Sequence, residues 1–111
     1  MNVNVVQCRW DTVNKSFGRS NNPYNKSLIP GGSTGGNASL MSSAGGLVGV
    51  SSDIGGSIRI PGLFCGVYGH CCSVETVPLD IQWPPYAESR KKLVSYGPMT
   101  RLVYGCIRCW C

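Results

Sequence analysis

Ser57 stands inside Asp53-Ile54-Gly55-Gly56-Ser57-Ile58-Arg59, and Ser33, 24 positions earlier, stands inside Gly31-Gly32-Ser33-Thr34-Gly35-Gly36. A serine hydroxyl attacks a carbonyl only where a proton acceptor is at hand and N–H donors face the developing oxyanion. Ile54, Gly55, Gly56 and Ser57 offer successive backbone N–H groups. The two glycines among them allow the φ values that turn such groups toward one point. The pattern reads as acyl transfer, with Ser57 as nucleophile beside its own oxyanion hole. Asp53 and Arg59 flank the turn and can pair to brace it. Phosphate binding is the rival use of such glycines, but it fails on detail. Gly35-Gly36-Asn37 lacks the lysine of a P-loop, and neither cluster has the spacing of a dinucleotide fingerprint.

The elements that must hold these clusters follow from local composition. Val3, Val5 and Val6 suit a short strand, and residues 9–27, rich in Asn, Ser, Gly and Pro, suit an ordered loop pinned by Trp10, Phe17 and Tyr24. Residues 35–46 predict a closely packed helix, and Leu47, Val48, Gly49 and Val50 a buried strand. Pro61 opens a short helix running to Gly66, since a first-turn proline loses no hydrogen bond. Val67 and Tyr68 start another strand. Residues 71–86 read as loop with one strand near Val74 to Val77, residues 87–96 as helix, and Gly97 to Arg101 as a turn.

Length and composition limit the rest. With 111 residues the chain is at most one small domain, and 42% hydrophobic against 14% charged residues argues for a packed core rather than disorder. The formal charge of +5 is spread thinly, with only Arg90, Lys91 and Lys92 contiguous, so no nucleic-acid partner is expected. No window approaches the roughly 18 apolar residues of a membrane span, and the N-terminus lacks a signal-peptide pattern. Seven cysteines, an odd count, fit a reduced intracellular chain. A zinc-binding module is the alternative from another class, built from Cys106, Cys109 and Cys111 with His70, Cys71 and Cys72.

The chain resembles the amidase signature family, and within it the fatty-acid amide hydrolases of the second type. The residues that carry the likeness are Asn22-Pro23-Tyr24-Asn25, residues 31–36, Gly49 through Pro61, Phe64-Cys65-Gly66-Val67-Tyr68-Gly69-His70 and Gly97-Pro98-Met99-Thr100-Arg101. They define a partial amidase domain over residues 9–101, followed by an unmatched Cys-rich tail, 102–111. The resemblance implies an α/β fold, a mixed twisted sheet covered by helices on both faces, of which this chain is a fragment. It implies hydrolysis of small-molecule carboxylic amides, lipid amides among them, without a cofactor, through a Ser-cisSer-Lys triad. Ser57 matches the nucleophile, Ser33 the cis-serine that relays the proton, and Ile54, Gly55, Gly56 and Ser57 the oxyanion hole. Thr34, Asp53 and Arg59 match supporting positions.

The same resemblance marks departures. The family's catalytic lysine lies further upstream than the residues preceding Ser33 here, and neither Lys15 nor Lys26 matches it. Cys71, Cys72 and Glu75 stand where the family continues Lys-Pro-Ser and then a glycine. A truncated amidase chain, inactive by itself and left with open sheet edges that favour aggregation, is therefore expected. A non-catalytic amidase-like fragment is the variant of that reading. His70 reads as a structural residue, because the resembled mechanism uses lysine.

Overall fold

The computed structural model describes residues 10–79 and 85–108. The chain opens with a hairpin of two short strands, β1 (Val13–Asn14) and β2 (Gly18–Arg19), antiparallel with Val13 opposite Arg19. Helix α1 (Gly35–Ser42) follows, then β3 (Val48–Asp53), α2 (Arg59–Cys65), β4 (Tyr68–Gly69), α3 (Glu88–Lys91), β5 (Ser95–Thr100) and α4 (Val103–Arg108). Strand β5 lies between β3 and β4 and pairs antiparallel with both.

Register decides which side chains meet. Gly49, Ser51 and Asp53 oppose Met99, Gly97 and Ser95 on one face, while Val48, Val50 and Ser52 oppose Thr100, Pro98 and Tyr96 on the other. The first face is covered by α1, whose Asn37 Nδ2 donates to Ser51 Oγ at 2.9 Å and to the Val50 carbonyl at 3.3 Å. The second face meets α4 at Thr100, whose hydroxyl donates to the Leu102 carbonyl at 2.7 Å and against whose side chain Gly105 packs. Helix α1 thus covers one face, while α4 meets the other at its Thr100 end, where Val48 and Val50 stay exposed, a mixture of helix and sheet that suits a fragment of an α/β unit. The core is small: Ala38, Met41, Ile58, Cys65, Val67 and Met99. Ile58 is fully buried, worth roughly 1.5–3 kcal/mol for such a side chain.

Several expectations are corrected. The helix predicted over 35–46 ends at Ser42, ahead of Gly45 and Gly46. The strand predicted as buried at residues 47–50 runs instead to Asp53 and buries its polar end: Ser51 and Asp53 are inside, while Leu47 is 87% and Val50 66% exposed. Polar residues can occupy the inner face because each finds hydrogen-bond partners there.

The helix expected over 87–96 is only the four residues of α3, and the turn expected at Gly97 to Arg101 is largely the central strand β5. Gly97 and Pro98 read locally as breakers. In the fold, the His70 carbonyl presses so closely on Gly97 that a Cβ there would overlap it, and the Pro98 carbonyl accepts the His70 N–H at 3.0 Å. Residues 74–77 form a turn, with Glu75 at φ 68°, not a strand. The helix opened by Pro61 is present as α2, beginning two residues earlier at Arg59 and closing at Gly66 in the left-handed region.

Trp10, Phe17 and Tyr24 do not pin the loop they punctuate, for all three are exposed. Polar side chains do so instead. Asn22 Nδ2 donates to the Phe64 carbonyl at 2.8 Å, and Ser39 Oγ donates to the Asn21 carbonyl at 3.0 Å. The strand expected around Val3 to Val6, and residues 80–84 of the loop expected over 71–86, lie outside the described residues.

Candidate active site

The two glycine clusters meet where the loop before α1 crosses the turn before α2. Gly31 packs on the backbone of Pro61, and Cys65 Sγ donates to the Pro30 carbonyl at 3.4 Å. The Gly32–Ser33 peptide bond is cis. Ser33 and Thr34 are buried, and the Thr34 hydroxyl donates a short hydrogen bond to the Ser57 carbonyl. Ser57 itself is half-buried. The residues singled out from the sequence thus converge on one junction, joined by a threonine hydroxyl.

Asp53, the last residue of β3, organises the second cluster. Its Oδ1 accepts the Gly56 N–H at 2.6 Å, and its Oδ2 accepts the N–H groups of Ile58 at 2.9 Å and Arg59 at 3.3 Å. The Arg59 guanidinium adds two bonds, Nε to Oδ2 at 3.1 Å and Nη2 to Oδ1 at 2.9 Å. Burial pushes the carboxyl pKa up, but the Arg59 bond and the Ile58, Gly56 and Arg59 N–H groups outweigh it and hold it well below the usual carboxylate range. Arg59 is held above its ordinary value by the same partner. The Asp53 side chain is 2% exposed and that of Arg59 63%, so the carboxylate is the fixed member of the pair.

Of the four backbone N–H groups expected to face an oxyanion, that of Gly56 is the one given to Asp53. Among the described residues none accepts the N–H of Ile54, Gly55 or Ser57, and a side chain at Gly55 would enter open space.

The sequence reading missed Thr12 and Asn37, and it singled out Asn22 and Cys71 without placing either beside this junction. Thr12, Asn22 and Asn37 act through side-chain hydrogen bonds to segments distant in sequence, which leave no periodic signal. Cys71 lies beside the site, its Sγ 3.5 Å from Asp53 Oδ2. Burial, and then the Asp53 charge, push its thiol up to about 11. Burial also raises the thiols of Cys65 and Cys72.

The zinc alternative gains no centre. Among the described residues no group of three or more His, Cys, Asp or Glu could hold a metal ion. Cys71 faces Asp53, whereas Cys106 faces Thr100 Oγ1 at 3.1 Å and the Tyr68 carbonyl at 3.6 Å. Cys109 and Cys111 lie outside the described residues. No helix among the described residues is long and apolar enough to cross a membrane.

A sheet packed with helices and carrying two glycine-flanked serine loops locked to each other makes this an α/β unit. The chain belongs to the amidase family, whose model matches residues 2–111. It is 44% identical over 95 residues to human fatty-acid amide hydrolase 2, a match covering 85% of this chain and 18% of that protein. It is 41% identical over 106 residues to an amidase of Gibberella moniliformis, covering 89% of this chain and 19% of that one. Among solved structures, a bacterial aryl acylamidase of the amidase signature family superposes with a TM-score of 0.73 at 35% identity, over 88% of this chain and 20% of that one. A 6-aminohexanoate cyclic dimer hydrolase superposes with a TM-score of 0.83 at 25% identity, over 96% of this chain and 22% of that one. The chain spans about a fifth of the length of the relatives it matches.

Proposed function

We propose that this chain is the nucleophile-bearing segment of a serine hydrolase that cleaves carboxylic amides, fatty-acid amides among them, through an acyl-enzyme. Ser57 Oγ attacks the amide carbonyl carbon, the oxyanion forms within reach of the Ile54, Gly55 and Ser57 N–H groups, and the C–N bond breaks with the amine leaving protonated. Water then cleaves the ester and restores the Ser57 hydroxyl. The Ser33 hydroxyl relays the proton between Ser57 and a lysine, while Asp53 and Arg59 hold the turn.

The observation that carries this reading is the Thr34 hydroxyl bonded to the Ser57 carbonyl, which joins the two serine loops. The names of the relatives, fatty-acid amide hydrolase and aryl acylamidase, support the substrate class. Lys15 and Lys26 are exposed on loops and do not serve as the base, so the 111-residue chain acylates slowly by itself. The free thiols of Cys65, Cys71, Cys72 and Cys106 accord with an intracellular setting.

A fluorophosphonate probe followed by mass spectrometry tests both parts. The expected result is a slowly formed adduct on Ser57 that Ser57→Ala abolishes. An adduct unaffected by that substitution refutes the nucleophile, and rapid Ser57-dependent turnover of an amide by this chain refutes the missing base.

A further inference from the structure

One side chain far in sequence from both serine loops holds the first of them at both ends. Thr12 is 0% exposed. Its hydroxyl donates to the Gly31 carbonyl at 2.9 Å, 19 residues away in sequence, and accepts the Gly35 N–H at 3.1 Å, 23 residues away. Between those two points run the cis Gly32–Ser33 bond and Thr34, which bonds to Ser57. A hydroxyl has a single proton to donate, and here it goes to one end of the loop while a lone pair serves the other. The approach is close enough that Thr12 Oγ1 occupies the place of a Cβ on Gly35.

Thr12 is itself fixed. Its N–H donates to Asp11 Oδ1 at 2.9 Å and its carbonyl accepts the Ser20 N–H at 2.9 Å, which closes the β1–β2 hairpin around it. Asp11 in turn pairs with Arg19 across the hairpin at 3.3 Å. The large apolar side chains of this segment, Trp10 and Phe17, point away from the core, so what it delivers to the interior is Thr12.

We infer that Thr12 is a positioning residue: its hydroxyl clasps the Gly31–Gly35 loop and so fixes Ser33 and Thr34 against Ser57. The consequence for reactivity rests on the amide-hydrolase reading, whereas the clasp does not. Removing the hydroxyl with little change of shape leaves a buried carbonyl and a buried N–H without partners, whose cost loosens the loop.

The test compares Thr12→Val and Thr12→Ser in the whole chain, by amide hydrogen exchange and by fluorophosphonate labelling of Ser57. Thr12→Val should speed Gly35 exchange about tenfold or more and slow labelling by a similar factor, in line with the loss of a buried hydrogen bond. Gly62 N–H, bonded to the Ile58 carbonyl in α2, should keep its protection. Thr12→Ser should restore both readouts, which a role confined to packing the methyl group would not do. Unchanged Gly35 exchange in Thr12→Val, or a Thr12→Ser variant as loose as Thr12→Val, overturns the inference. Should Thr12→Val fail to fold, the unsubstituted chain decides: Gly35 must exchange more slowly than Gly55, and equal rates overturn the clasp. No Ser57 adduct in the unsubstituted chain overturns the hydrolase reading alone, with Gly35 exchange still deciding the clasp.

Discussion

Replacing Asp53 by Asn isolates what the carboxylate does for the turn that bears Ser57. The amide keeps one acceptor oxygen and puts an NH2 group in place of the other. In either orientation a donor then faces a donor, because Gly56 N–H meets one carboxylate oxygen and Ile58 N–H the other. A buried N–H left without an acceptor costs about 1–3 kcal/mol, and the remaining bonds lose their charge assistance, worth about 1 kcal/mol. The ion pair itself adds little, on the order of 0–1 kcal/mol, since the Arg59 side chain is 63% exposed.

Together these give a loss of about 3 kcal/mol, or a fall in Tm of about 10–15 °C for a chain of this size. Thermal unfolding followed by far-ultraviolet circular dichroism at neutral pH should show Asp53→Asn far below the unsubstituted chain and Arg59→Ala close to it. Equal losses in the two variants would place the stabilisation in the ion pair and refute the reasoning. Amide exchange at Gly56 and Ile58 reads the same bonds locally. The pH dependence has a definite sign. The Asp53 pKa is depressed in the folded chain, so the folded state binds fewer protons than the unfolded one and stability rises with pH. The contribution is complete above the ordinary value of 3.8 and declines as pH falls below it. Asp53→Asn should therefore flatten the loss of Tm between about pH 4 and pH 2.

Two further outcomes follow from the packing. Gly97→Ala drives a Cβ into the His70 carbonyl, a backbone atom that cannot swing aside, and should cost about 3 kcal/mol by thermal unfolding; a change under about 1 kcal/mol would mean that β4 and β5 are not so closely joined. Cys71, with its thiol pushed up to about 11, should react slowly with iodoacetamide at pH 7 and roughly tenfold faster per pH unit above it, and Asp53→Asn should shift that profile to lower pH by removing the neighbouring negative charge. Rapid alkylation at pH 7 would contradict both the burial of Cys71 and its contact with Asp53.

The residues with candidate chemistry were legible because they are local. Asp53 through Arg59 is a single turn whose glycines, carboxylate and arginine lie within hydrogen-bonding reach of one another along the chain, and Gly31 through Gly36 is similar. Helix α2 was legible for the same reason, through Pro61 at its first turn and Gly66 beyond its end. The order of motifs also carried the α/β class. What local composition misread was β5, because Gly97 and Pro98 are breakers unless neighbouring strands demand them, and here β3 lies opposite them on one side while His70 packs on them from the other. It misread β3 as well, because the value of burying Ser51 or Asp53 depends on Asn37 and on N–H groups elsewhere.

The amino-acid sequence alone thus determined the family, the fold class and which hydroxyls, glycines and charges form the candidate centre, since these are properties of contiguous residues. Only the tertiary structure decided how the two loops lock, that Gly56 N–H is bonded to Asp53, and that Thr12 and Cys71 belong to the same neighbourhood. Hydrogen bonds reach across any separation in sequence once the chain has folded. A single buried side chain therefore leaves no trace in composition or period by which to find it beforehand.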